Sequence, residues 1–197
     1  MNQIANKIFD NIVSQEINTE EMREHYVYGI EVLFGKIISY GTLLIMAAIL
    51  DMWLPTIIFM ITFYSLRSRT GGHHAKNFLQ CYIGTICGYF LLMEFVAPYL
   101  IKNDIAFIVI MVVSVPVILL YAPIDHPNLQ LSEEEKKACK KSTKMLLLLI
   151  LICIGVVEIL NIGSAISVYI AIGVGMDAGL ILIAKLYRRG ESYEEKN

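Results

Sequence analysis

The strongest constraint on this chain is a series of six apolar runs, most of them close to the length that crosses a hydrocarbon layer. They extend from about Val32 to Leu50, Met52 to Leu66, Phe78 to Tyr99, Ile105 to Tyr121, Met145 to Leu160 and Ser164 to Leu186. Lys36, Glu94, Glu158 and Asp177 are among the charges they contain. A helix rises about 1.5 Å per residue, so a core of about 30 Å takes roughly 20 residues. With 56% hydrophobic residues and a mean hydropathy of +0.61, the chain is too apolar for an ordinary soluble domain. The expectation is an all-α, polytopic integral membrane protein: a single domain over 1–197 with about six transmembrane helices between 31 and 187, preceded by an N-terminal amphipathic helix.

The amphipathic helix is read from Ile4, Ile8, Phe9, Ile12 and Val13, which recur at spacings of three and four between Asn2 and about Ser14. A second short helix is expected over the charged piece Glu16 to Glu24, within an N-terminal unit 1–30. The run from Met52 to Leu66 is short for a span, and a re-entrant segment is its alternative. Asp51 and Pro55 bracket a tight turn, and Trp53 suits an interface. Asn77 with Gln80 three residues on resembles a capping box that starts the third span at Asn77 or Phe78. Pro116 is expected to kink the fourth span. The stretch Ala122 to Asn128 breaks the helical pattern. Ser132 is placed to cap a basic segment running to Lys144, with Glu133, Glu134 and Glu135 in its first turn. The tail 188–197 is charged and expected to fray.

Six spans put both termini on one side. Of the 16 Lys and Arg, all but Lys36 and Lys102 fall on that side, which the positive-inside rule assigns to the cytoplasm, with the loops 67–77 and 122–144. The four cysteines make no CxxC pair and do not suggest a disulfide framework, and Cys87 and Cys153 read as small packing residues within helices.

Between the second and third spans lies a short polar island, Arg67 to Cys81. It holds Arg67, Arg69, His73, His74, Lys76 and Cys81. A thiolate is a strong nucleophile when a histidine can take its proton, so Cys81 beside these histidines points to covalent catalysis. On one unbroken helix His74 and Cys81 would stand about 10.5 Å apart along the axis, too far for the hydrogen bond of about 3 Å that proton transfer needs. Gly71 and Gly72 free the backbone just before the histidines, and a helix starting at Asn77 lets the chain fold back over its first turn. There the helix dipole favours the thiolate. Spacing does not choose between His73 and His74. Two adjacent histidines point in different directions, and no second pair of ligands stands at zinc spacing, so neither a metal nor another cofactor is expected.

Arg67, then Gly71-Gly72-His73-His74-Ala75, then Cys81, followed by Tyr121-Ala122-Pro123-Ile124-Asp125 and a lysine-rich stretch, resemble the accessory gene regulator protein B (AgrB) family. That resemblance implies a bacterial cell-membrane cysteine endopeptidase that matures quorum-sensing peptides. It selects His74 as general base and Cys81 as nucleophile, with Arg67 and Gly72 in support. Asn77 and Gln80 are the nearest candidates for orienting His74 or holding an oxyanion. The implied substrate is a small precursor with an amphipathic leader and an acidic tail. Lys136, Lys137, Lys140, Lys141 and Lys144 are placed to attract that tail, or else to serve topology as a solvated face. The family implies a homodimer in the bilayer, and no nucleic-acid partner. Two other classes remain open at this point: a small transporter or peptide exporter, and a non-catalytic membrane partner of a signalling system.

Overall fold

The computed structural model describes residues 20–70, 78–124 and 132–194; side chains are described from 29 onward, apart from 31, 32, 78–81 and 187–194. The described residues form six helices in antiparallel succession. They are α1 (Glu20–Ile49), α2 (Trp53–Thr70), α3 (Phe78–Leu91, continued through a widened turn at Leu92–Val96 into Ala97–Ile101), α4 (Asp104–Tyr121), α5 (Glu133–Ile159) and α6 (Ser164–Glu194). Four of them contain stretches long and apolar enough to cross a membrane: Tyr82–Ile101, Asp104–Tyr121, Glu133–Ile159 and Ser164–Leu186. The apolar part of α1, Leu33–Ile49, is shorter.

Several expected boundaries merge. The short charged helix and the first span are one continuous helix from Glu20. α2 carries on past Leu66 to Thr70, so Arg67 and Arg69 belong to its last turn and not to a loop. The basic segment and the fifth span are likewise one rod. The charged tail, expected to fray, is helical as far as Glu194, and α4 continues through Pro116. The amphipathic helix over Asn2–Ser14 lies outside the described residues.

Local chemistry accounts for the helix ends. Ser132 accepts from the Glu135 N–H at 3.2 Å, and the Glu135 carboxylate accepts from the Ser132 N–H at 2.8 Å. This capping box satisfies donors that the helix itself cannot. Asn103 caps α4 in the same manner, accepting from the Ala106 N–H at 3.2 Å. Asp51 (φ 52°) and Asn161 (φ 52°) turn the chain between α1 and α2 and between α5 and α6, in the left-handed region that short polar side chains tolerate. In α3, Pro98 has no N–H to give the Glu94 carbonyl, and its ring would press on it. The widened turn meets this demand, with the Ala97 N–H reaching back to the Leu92 carbonyl.

α6 is the central element. In its apolar stretch 56% of residues are buried, against 17% in α4. Its small residues let neighbours approach closely, as membrane helices require when lipid supplies no hydrophobic drive for association. A Cβ built on Gly173 would lie 2.9 Å from Thr62 Cβ and 3.3 Å from the Phe63 N on α2. One cluster packs Leu66, Ile118, Leu147, Val174 and Ile181, joining α2, α4, α5 and α6. A second packs Leu43, Phe59, Tyr89, Met93 and Ile172, joining α1, α2, α3 and α6. Thr56, three residues into α2, shares a hydrogen bond with Tyr89 in the body of α3. The α1–α2 turn therefore stands beside the middle of α3 and not at its outer end. Cys87 and Cys153, expected to fill helix contacts, are both exposed on the outside of the bundle.

Candidate active site at the end of α2

The last turn of α2 is the junction of the molecule. Residues two apart on a helix are separated by about 200° around it, so Arg67 and Arg69 leave α2 on opposite sides. Arg69 turns to α5: its Nε donates to Ser142 Oγ at 2.7 Å and its Nη1 to the Ser65 carbonyl at 2.8 Å. Arg67 turns to α6, where its Nη1 lies 3.8 Å from Asp177 Oδ1. Thr70 Oγ1 donates to the same carboxylate oxygen at 3.1 Å. Thr70 and Asp177 are both fully buried, at 0% exposure. A carboxylate within an apolar helix is tolerated only when charge and hydrogen bonds compensate its desolvation, and Arg67 with Thr70 provides both. Asp177 Oδ2, also buried, finds no hydrogen-bond partner among the described residues.

The segment after α4 is tied to this same turn. The Ile124 N–H donates to the Thr70 carbonyl at 2.9 Å, a carbonyl that the end of the helix leaves without an intrahelical donor. Tyr121-Ala122-Pro123-Ile124 is thereby held against the end of α2, with a cis peptide bond between Ala122 and Pro123. Lys185 of α6 sits 3.3 Å above the Tyr121 ring, a cation–π contact that fixes α4 and α6 at this end.

Cys81 is the fourth residue of α3, which begins at Phe78; this places the thiol-bearing residue in a helical first turn, as expected. The side chains of Gln80 and Cys81, and all of Gly72, His73, His74 and Asn77, lie outside the described residues. The next residue, Tyr82, shares a 2.9 Å hydrogen bond with Thr42, anchoring the start of α3 to α1. The lysines occupy the first turns of α5. Lys136 pairs with Glu133 at 3.3 Å, while Lys137, Lys140, Lys141 and Lys144 are exposed along one face.

The structure thus gathers Arg67, Thr70, Ile124 and Asp177 around the chain end that leads into the histidine segment. Sequence reasoning named Arg67 but missed Asp177 and Thr70 as its neighbours. The available signal was an acid in the middle of a span, which in lipid demands a partner.

The comparisons with known proteins follow the same lines. The family described as Accessory gene regulator B matches residues 1–181. An AgrB-like protein of Clostridium perfringens (strain SM101 / Type A) is 28% identical over 182 residues, covering 86% of this chain and 85% of its own. Accessory gene regulator protein B of Staphylococcus aureus (strain Newman) is 33% identical over 129 residues, covering 62% of this chain and 66% of its own. No solved structure matches. The match runs through both motifs that meet at Thr70, and the chain belongs to the accessory gene regulator B family.

Proposed function

We propose that the chain is a membrane cysteine endopeptidase that matures a quorum-sensing peptide at the cytoplasmic face of a bacterial cell membrane. The observation that carries this reading is the convergence at Thr70: its hydroxyl is held by Asp177 and its carbonyl by Ile124. Two strands of sequence that mark the family are thereby fixed at the root of the segment bearing His73 and His74. A base can act only if its backbone anchor is rigid, and a fully buried Thr70 and Asp177 supply that rigidity.

His74 takes the proton of Cys81, whose position in the first turn of α3 adds the favourable end of the helix dipole to the thiolate. The thiolate attacks a peptide carbonyl of the precursor and forms a carbon–sulfur bond. Collapse of the tetrahedral adduct breaks the carbon–nitrogen bond, and the departing amine takes its proton from His74. The leader and ring portion remain on Cys81 as an acyl-thioester. A cysteine or serine side chain within the bound peptide then gives its proton to His74 and attacks that thioester; the bond between the carbonyl carbon and the Cys81 sulfur breaks, giving a thiolactone or lactone and leaving the Cys81 thiolate beside protonated His74. Water must be kept from the thioester for ring closure to win, and a site between helix ends at the membrane edge serves that need. Gly72 is assigned the backbone freedom needed before the histidines, and Asn77 and Gln80, close to both in sequence, are assigned to orientation or oxyanion binding. The exposed lysines on α5 attract the acidic tail, the amphipathic leader lies in the bilayer, and the enzyme works as a homodimer with residues 1–197 acting as one domain.

Mutation of the dyad tests this. Cys81→Ser and His74→Ala abolish cleavage of the precursor while the protein still accumulates in the membrane; His73→Ala retains substantial activity. Acid-quenched wild-type reactions carry a precursor fragment on Cys81 that hydroxylamine removes. Dead His73→Ala with active His74→Ala would reverse the base assignment. Normal processing by all three variants would end the peptidase reading in favour of an exporter.

A further inference from the structure

The side of α2 facing away from the Asp177 cluster opens on a groove of about 640 Å³, within the range of about 300 to 1,000 Å³ typical of small-molecule sites. Its polar end is made by Arg69, Lys141 and Ser142, and its floor by Met145, Leu149 and Ile152 of α5. Arg69 is held in place by two hydrogen bonds, to Ser142 Oγ at 2.7 Å and to the Ser65 carbonyl at 2.8 Å. Its remaining N–H groups, and the exposed Lys141 ammonium, meet no carboxylate among the described residues. Two cations without a counter-charge among the described residues, one of them preorganised, form a site for an anion.

The dimensions say which anion. From Lys141 to Ile152 the helix rises about 16 Å, close to half of the roughly 30 Å hydrocarbon core. Charge is confined to the end where α5 leaves the apolar stretch, and the rest of the groove is apolar and outward-facing. We propose that the groove holds one anionic phospholipid, its phosphate between Arg69 and Lys141 and an acyl chain along Met145, Leu149 and Ile152. A second copy of the chain fits less well, because a two-fold contact would bring the same cations of both copies together. The lysine face of α5 is centred about a quarter turn around the helix from the groove, by the 100° step per residue. Only Lys141 belongs to both, so a lipid here leaves Lys137, Lys140 and Lys144 open to water. The inference stands without any peptidase activity.

The test uses the full-length protein with its single tryptophan moved, Trp53→Phe with Ile152→Trp, at the deep end of the groove so that the cationic end stays free. A matched reference carries Val112→Trp on the outer face of α4. Both are reconstituted in phosphatidylcholine vesicles without precursor, with rising fractions of phosphatidylglycerol brominated on its acyl chains. Half-maximal quenching at position 152 is expected at a several-fold lower mole fraction than at position 112. Arg69→Gln with Lys141→Gln should return it to the reference curve, and brominated phosphatidylcholine should quench both sites alike. Superimposable curves, or a preference that survives both substitutions, would overturn the site. So would an unquenched Ile152→Trp together with disulfide crosslinking of Ile152→Cys between copies, which would assign the face to a second chain. If Arg69→Gln fails to insert, Lys141→Gln alone must still weaken the preference at least twofold, and its failure to do so refutes the proposal.

Discussion

Replacing Gly173 by alanine should damage this fold more than its chemistry suggests. The new Cβ would stand 2.9 Å from Thr62 Cβ, 3.1 Å from Thr62 Cγ2 and 3.3 Å from the Phe63 N, whereas carbon atoms attract best at about 3.5 to 4.0 Å. A clash with Cγ2 can be relieved by rotating the Thr62 side chain, but Cβ and the backbone nitrogen do not move with χ1. α2 and α6 must therefore separate by about 0.6 Å or more, taken as the shortfall from van der Waals contact. Overpacking of this type costs about 1 to 3 kcal/mol. Higher helix propensity returns at most about 1 kcal/mol of that. The same separation draws Thr70 from Asp177, whose bond at 3.1 Å has little slack, so precursor processing should fall with stability. Equilibrium unfolding in mixed micelles with increasing dodecyl sulfate should show a lower midpoint for Gly173→Ala. Gly179→Ala, where a Cβ meets nothing within 4 Å, should match wild type or exceed it. Thr62→Gly should rescue Gly173→Ala by removing the carbon that is struck, where Thr62→Ala should not. Equal midpoints for the two glycine variants would refute the close-approach argument.

Two further perturbations separate roles assigned above. Reversing Lys137, Lys140 and Lys144, the lysines outside the groove, to glutamate should slow processing of an acidic-tailed precursor, and the loss should shrink when the tail's acids are neutralised; exposed pairs contribute only about 0.2 to 1 kcal/mol each, so three are changed together, and processing at the wild-type rate would leave these three lysines a purely topological part. In a cysteine-free background, single cysteines at Ser68 and Ser132 should resist an impermeant maleimide in intact cells while one at Lys102, next to the cap of α4 at Asn103, labels; labelling at Ser68 from outside would separate the proposed active site from a cytoplasmic precursor.

What could be read in the sequence was what is encoded locally. The start of the third span at Phe78, the cap at Ser132 and the order of apolar helices all follow from patterns within a few residues. The spacing of Arg67, Gly72, His74 and Cys81 that carries the family resemblance is local too. What could not be read depends on pairs distant in sequence. Thr70 and Asp177 are 107 residues apart, and nothing near either predicts the other. The hydropathy of a membrane helix does not mark which face meets protein, since lipid and protein interiors are equally apolar. Cys87 and Cys153 were misread for that reason, because apolar surroundings in sequence meant lipid and not packing. Arg67 and Arg69 look like loop residues in composition, and only the continuation of α2 to Thr70 shows that they point to opposite sides.

The continuity of α5 sets a phase relation between its two halves. Because no loop separates the lysines near its start from Met145 and the residues beyond, the charged turns and the membrane half are geared together like two cogs on one shaft. One residue inserted between Lys144 and Met145 would turn the lysines by about 100° relative to the membrane half, with composition, hydropathy and net charge almost unchanged. Ser142 would turn with them, and Arg69 would lose the hydroxyl that holds it. The angular register of this one helix therefore carries information that neither its charge nor its length expresses.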